Sequence, residues 1–116
     1  VREESVESVQ ARLDVHSVLG ELKAGLQLVY GGRLRGIYLF GSYARGEADW
    51  ESDLDILVVL DAFDRYAHEV NRTGVLAADL SLKYGVTVSL VFLREHEWLK
   101  GDTPFLSNVR DEAIPA

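Results

Sequence analysis

Two patches of this 116-residue chain carry residue types that do chemistry together. The first, Gly41-Ser42-Tyr43-Ala44-Arg45-Gly46, contains a Gly-Ser turn, and glycine admits the backbone conformations that let amide groups close on a phosphate. The second is Ser52-Asp53-Leu54-Asp55, its first aspartate eleven residues after Ser42, running into Ile56-Leu57-Val58-Val59-Leu60. Carboxylates two positions apart on an extended chain leave the same face, with α-carbons roughly 6 to 7 Å apart, a spacing suited to bracketing one Mg²⁺ ion or bridging two. A phosphate turn beside a metal-binding strand is the equipment of nucleotide chemistry.

Two familiar alternatives fail on residue type. Gly41 to Gly46 has the glycine spacing of a P-loop, but Glu47 and Ala48 stand where a P-loop needs Lys and then Ser or Thr. Asp49, Glu51, Asp53 and Asp55 resemble the start of an EF-hand loop, but Leu54 occupies the glycine position and Leu60 that of the closing glutamate. Of the neighbouring residues, Arg45 reaches a phosphate or pairs with Glu47 or Asp49. Ser52 caps the turn before Asp53 or serves the nucleotide. Trp50 stacks on a base or packs on its own domain, the second being the commoner fate of a loop aromatic. His16, His68 and His96 share no metal-ligand spacing.

The rest of the composition narrows the class. The length predicts a single domain over 1–116 with a modest core, and the longest apolar run is far too short for a bilayer. No leader-type apolar region is visible at the N-terminus, which predicts a cytoplasmic protein. With no cysteines, disulfides and thiolate zinc sites are excluded. A formal net charge of -7 argues against tracking nucleic-acid backbones and suits an anionic ligand that arrives with divalent metal, or a basic protein partner.

Positioning these residues requires a frame. Val6, Val9, Leu13, Leu19, Leu22, Leu26 and Val29 recur at helical spacing up to Gly31-Gly32, predicting one long helix or two with a break near Gly20. Gly36 to Phe40 reads as a strand buried on both faces that delivers Gly41-Ser42 at its end, and Tyr43 to Ala48 adds a helical turn. Asp53 to Leu60 is the second strand, with Asp53, Asp55, Leu57 and Val59 on one face. Phe63, Ala67, Val70, Ala77, Leu80 and Tyr84 predict a helix capped by Asp61 or Asp64 and stopped by Gly85. Val86 to Phe92 follows as a third strand, and Thr103-Pro104 opens a final helix carrying Phe105, Leu106 and Val109. The fold class is α+β (α/β), a small mixed β-sheet packed against helices.

Leu39 to Gly46 together with Ser52 to Val59 resembles the signature of the minimal nucleotidyltransferases, small members of the polymerase-beta-like nucleotidyltransferase superfamily, and the likeness extends over most of the chain. The resemblance implies a polymerase-beta-like core in which Gly41 and Ser42 bind the β- and γ-phosphates of ATP or another NTP and Asp53 and Asp55 hold Mg²⁺. It implies transfer of a nucleoside monophosphate to a hydroxyl with release of pyrophosphate, and a HEPN-type protein partner in a toxin–antitoxin pair.

One departure from that family bears on catalysis. The superfamily carries a third carboxylate on a later strand, where this chain offers Thr87 and Ser89, and a hydroxyl is a weaker Mg²⁺ ligand. The leading expectation is a Mg²⁺-dependent nucleotidyltransferase acting on a partner protein or across a homo-oligomer. The alternative is a catalytically weakened nucleotide-binding module that neutralises its partner by forming a complex.

Overall fold

Residues with no polar side chain for five consecutive positions cannot face water on either side, and Ile56 to Leu60 accordingly run through the middle of the sheet. The computed structural model describes residues 14–116. The part of the first predicted helix that carries Val6, Val9 and Leu13 lies outside the described residues, as does the N-terminal segment read for a leader. Strand β2 (Leu54–Leu60) is flanked by β1 (Leu34–Phe40), antiparallel, and by β3 (Val88–Arg94), parallel. A two-residue strand β4 (Ile114–Pro115) pairs with Tyr38 and Leu39 on the far side of β1, giving the order β3-β2-β1-β4.

Period-2 alternation divides β2 as expected. Leu54, Ile56, Val58 and Leu60 enter the larger core, beneath helices α1 (Val15–Tyr30) and α3 (Tyr66–Tyr84). Leu57 and Val59 enter a smaller cluster with Phe40 and Val109, covered by α4 (Glu95–Lys100) and α5 (Pro104–Glu112). A one-turn helix α2 (Ser42–Arg45) joins β1 to the loop before β2. Among the described residues no helix is long and apolar enough to cross a membrane.

Helix α1 is capped by Asp14, whose carboxylate accepts from the Ser17 amide at 3.1 Å, and it ends before Gly31-Gly32 as predicted. Of the two readings, one helix or two broken near Gly20, the described part is continuous through Gly20, with Val18, Leu22, Leu26 and Tyr30 all buried on one stripe. Gly25 has a packing reason: a Cβ there would stand 2.6 Å from Cδ1 of Leu76, so its absence lets α1 and α3 close on each other.

Helix α3 departs from the sequence reading. It starts at Tyr66 rather than Phe63, and neither Asp61 nor Asp64 caps it. Asp61 instead accepts from the Ala62 amide at 2.6 Å and from Arg33 at 3.2 Å. Its inward stripe includes Glu69 and Thr73, while Val70 is 45% exposed. The buried carboxylate is satisfied: the Tyr30 hydroxyl donates to Glu69 at 2.7 Å and Arg72 lies 3.6 Å away. Burial and Glu69 push the Tyr30 hydroxyl well above the ordinary tyrosine range, so it stays a donor.

The third strand lies two residues later than predicted, since Val86 and Thr87 still belong to the turn after Gly85. Helix α4 was not read from the sequence. Its start is closed by Glu97, which accepts from the Arg94 amide at 3.0 Å. Arg110 of α5 then donates to the Trp98 carbonyl at 2.8 Å and to the Gly101 carbonyl at 2.7 Å, clipping the two helices together. Tyr30→Phe should leave Glu69 short of its principal donor and cost about 1–3 kcal/mol in urea-induced unfolding; an unchanged midpoint would show that water or Arg72 replaces the phenol without loss.

Candidate active site

Strand pairing brings the two sequence patches together. Phe40 is the antiparallel partner of Asp55, so Gly41 leaves β1 directly beside the second aspartate. Gly41 has φ +75 and ψ -156, a conformation open essentially to glycine alone, and a Cβ on it would overlap the Asp55 carboxylate oxygen Oδ2. The turn and the carboxylate are thus in contact through a missing side chain. Asp53 sits just before β2, its neighbour Leu54 anchored by donation from its amide to the Thr87 carbonyl at 2.8 Å.

Ser42 opens α2, and the first amides of a helix have no acceptor inside it, so Ser42, Tyr43 and Ala44 present N–H groups at the turn. Tyr43 and Ala44 pack against the larger core and hold that turn on the sheet. Arg45 takes the ion-pair side of its two readings: Nε donates to Glu47 at 2.8 Å and Nη1 to Glu112 at 2.9 Å. Glu112, at the end of α5 and 67 positions away in sequence, is a neighbour that sequence reasoning did not find. Asp49, the other partner considered for Arg45, is used elsewhere. It accepts from the Glu51 amide at 2.9 Å and from the Ser52 hydroxyl at 3.2 Å, and the Ser52 hydroxyl accepts from the Asp49 amide at 3.0 Å. Ser52 therefore closes the turn before Asp53. Trp50, at the tip of that turn, is 72% exposed and does not pack on its own domain.

The electrostatics converge on Asp55. Burial raises its carboxyl above the ordinary range, Asp53 raises it further, Arg45 pulls the other way, and Glu112 adds to the rise. Ser89 is the β3 partner of Asp55, so the strand expected to carry a third carboxylate does place a hydroxyl there. Among the described residues no three His, Cys, Asp or Glu side chains form a metal-holding group. Asp53 and Asp55 nonetheless fit a hard divalent cation: they offer anionic oxygens, and a cation would relieve the repulsion between them. A Mg²⁺ ion held here would take its remaining oxygens from water and phosphate.

Two consequences are measurable. Because the folded state raises the Asp55 pKa, ionisation of Asp55 opposes folding above the ordinary aspartate range and ceases to do so once both states are protonated. Asp55→Asn should therefore raise the Tm at pH 7, with an advantage that fades as pH falls through about 4; equal shifts at pH 7 and pH 3 would contradict this. Gly41→Ala should cost about 1–3 kcal/mol from its backbone conformation, measured by thermal or urea unfolding, with Asp55 forced aside in addition.

Comparison with known proteins agrees with this geometry. The family model described as nucleotidyltransferase domain matches residues 22–114. A relative from Methanocaldococcus jannaschii, named a protein adenylyltransferase, is 36% identical over 101 residues, covering 86% of this chain and 95% of its own. A solved structure described as a minimal nucleotidyltransferase is 28% identical with a TM-score of 0.55, over 90% of this chain and 98% of that one. A toxin–antitoxin complex, MntA-HpeT, solved as a variant with two aspartates two positions apart changed to glutamate, matches at 25% identity and a TM-score of 0.57, over 82% of this chain and 70% of that one. The separation of those aspartates is that of Asp53 and Asp55. With the family model spanning most of the chain and the Gly41 turn set against the Asp55 carboxylate, this chain belongs to the nucleotidyltransferase domain family and is similar to the minimal nucleotidyltransferases.

Proposed function

We propose that this chain is a cytoplasmic, Mg²⁺-dependent protein nucleotidyltransferase of a single domain that moves AMP from ATP, or another NMP from its NTP, to a hydroxyl of a partner protein. The observation that carries the reading is the contact between Gly41 and the Asp55 carboxylate, with Asp53 beside it. Gly41 and the amides at the start of α2 bind the β- and γ-phosphates, where the absence of a side chain lets the anion come close to the backbone. Asp53 and Asp55 hold the metal, which when bound neutralises charge on the phosphates. Arg45, held by Glu47 and Glu112 where its charge already acts on Asp55, adds a second positive group at the phosphate end. Ser52 fixes the turn that aims Asp53 and stands within reach of the nucleotide.

In the reaction an acceptor oxygen attacks the α-phosphorus and pyrophosphate leaves on the opposite side. The residues contribute chiefly position and charge. The name of the M. jannaschii relative supports a protein acceptor, the MntA-HpeT toxin–antitoxin complex supports a toxin as that partner, and its HEPN type follows from the family resemblance. A second reading, neutralisation of the partner by complex formation alone, is favoured by one observation: Ser89, not a carboxylate, faces Asp55 across the strand pair.

Incubation with α-labelled ATP, Mg²⁺ and a HEPN-type partner encoded beside this chain should label the partner. Asp53→Asn and Asp55→Asn should each lower the labelling rate at least about 100-fold and abolish neutralisation of the partner. Neutralisation that survives both substitutions would establish the complex-formation reading instead, and removal of divalent metal by chelation should stop labelling while leaving any complex intact.

A further inference from the structure

Trp50 and Leu82 are large apolar side chains left 72% and 84% exposed, and they line one groove. It runs between the turn before β2 and the C-terminal end of α3, holds about 330 Å³, and is floored by Gly85 and Thr87. Asp53 lines it too, so the groove reaches the first of the two paired carboxylates. The exposure of Trp50 is not that of an unanchored loop. The turn carrying it is tied by the Asp49–Ser52 bonds at 3.0 and 3.2 Å and by donation from the Ser52 amide to the Asp49 carbonyl at 3.1 Å. A tryptophan held away from its own core by a braced turn offers a flat aromatic face to something else.

The charge of the groove says which part of a ligand enters. Its lining contains Glu51 and Asp53 and no lysine, arginine or histidine, so it repels phosphate. The triphosphate is assigned above to Gly41 and the start of α2, none of whose residues lines this groove. What remains of a nucleotide is its uncharged, planar, π-faced end. We propose that this groove is the nucleobase subsite, with the base stacked on the Trp50 indole, its edge against Leu82, and its polar rim within reach of the Thr87 hydroxyl. The proposal rests on the nucleotide reading of the site above.

The chain has only two tryptophans, and Trp98 lies against Tyr38 at 4.8 Å between ring centroids, on the face of the sheet away from α3. Trp98→Phe therefore leaves Trp50 as the single reporter. In that variant Mg·ATP should quench the indole fluorescence, whereas Mg·tripolyphosphate, which has no base, should bind without quenching. Trp50→Ala should weaken Mg·ATP binding by calorimetry on the order of 10-fold, as expected for loss of one stacked base, and leave Mg·tripolyphosphate binding unchanged. Trp50→Phe should retain most of the affinity. Equal Mg·ATP affinity in wild type and Trp50→Ala would overturn the subsite, as would a loss confined to partner labelling, which would make the groove an acceptor contact. If wild-type protein binds neither Mg·ATP nor Mg·tripolyphosphate, the nucleotidyltransferase reading itself falls and the subsite with it.

Discussion

The register of β1 against β2 is the constraint on which the site depends. Phe40 opposite Asp55 puts Gly41 against the carboxylate, and the same pairing sets Leu39 against Ile56 and Tyr38 against Leu57. A slip of one residue would turn Asp55 toward the buried side of the helices and Leu54 toward the phosphate turn, reversing every side chain of β2. The slip is resisted from both faces. Ile37 and Leu39 enter the core under α1 and α3, while Phe40 enters the cluster under α4 and α5. The hydrophobic effect, which has no direction of its own, here holds a directional contact between a backbone and a carboxylate.

Much of this was legible because it is local. Alternation along Asp53 to Leu60 shows which residues share a face, and Gly31-Gly32 and Gly85 end their helices where the pattern stops. The Gly-Ser turn and the D-x-D pair identify the chemistry without any knowledge of their distance. What escaped depends on partners far along the chain. Val70 reads as the inward residue of α3 because it is apolar, yet Glu69 takes the inward position because Tyr30, 39 positions earlier, supplies a donor. The pairing of Arg45 with Glu112 is of the same kind. Strand β4 has two residues and is a strand only because Tyr38 and Leu39 lie beside it. Trp50 was weighed as a self-packing aromatic; composition alone does not reveal that a four-residue hydrogen-bonded turn holds it outward.

Charge is arranged around the site in two tiers. The inner tier is unfavourable: Asp53 and Asp55 repel, and burial of Asp55 adds to that cost. The outer tier compensates at a distance, with Arg45 bridging Glu47 on its own turn and Glu112 on α5. Half-exposed ion pairs of this sort contribute little stability singly, so the bridge matters more as a geometric tie between the phosphate turn and the C-terminal helix.

Strand β2 has a hydrogen-bonded neighbour on each side, so the backbone that bears Asp55 has no free edge, whereas the loop between α2 and β2 makes its backbone hydrogen bonds to α2 and within its own turn. Reaction chemistry and ligand choice therefore reside on segments with different tolerance to change. Substitutions in the loop ahead of Ser52 can accumulate without disturbing the strand register, which makes such a scaffold evolvable: one small domain can be redirected among ligands by rewriting a few loop residues while the reacting centre stays as it is.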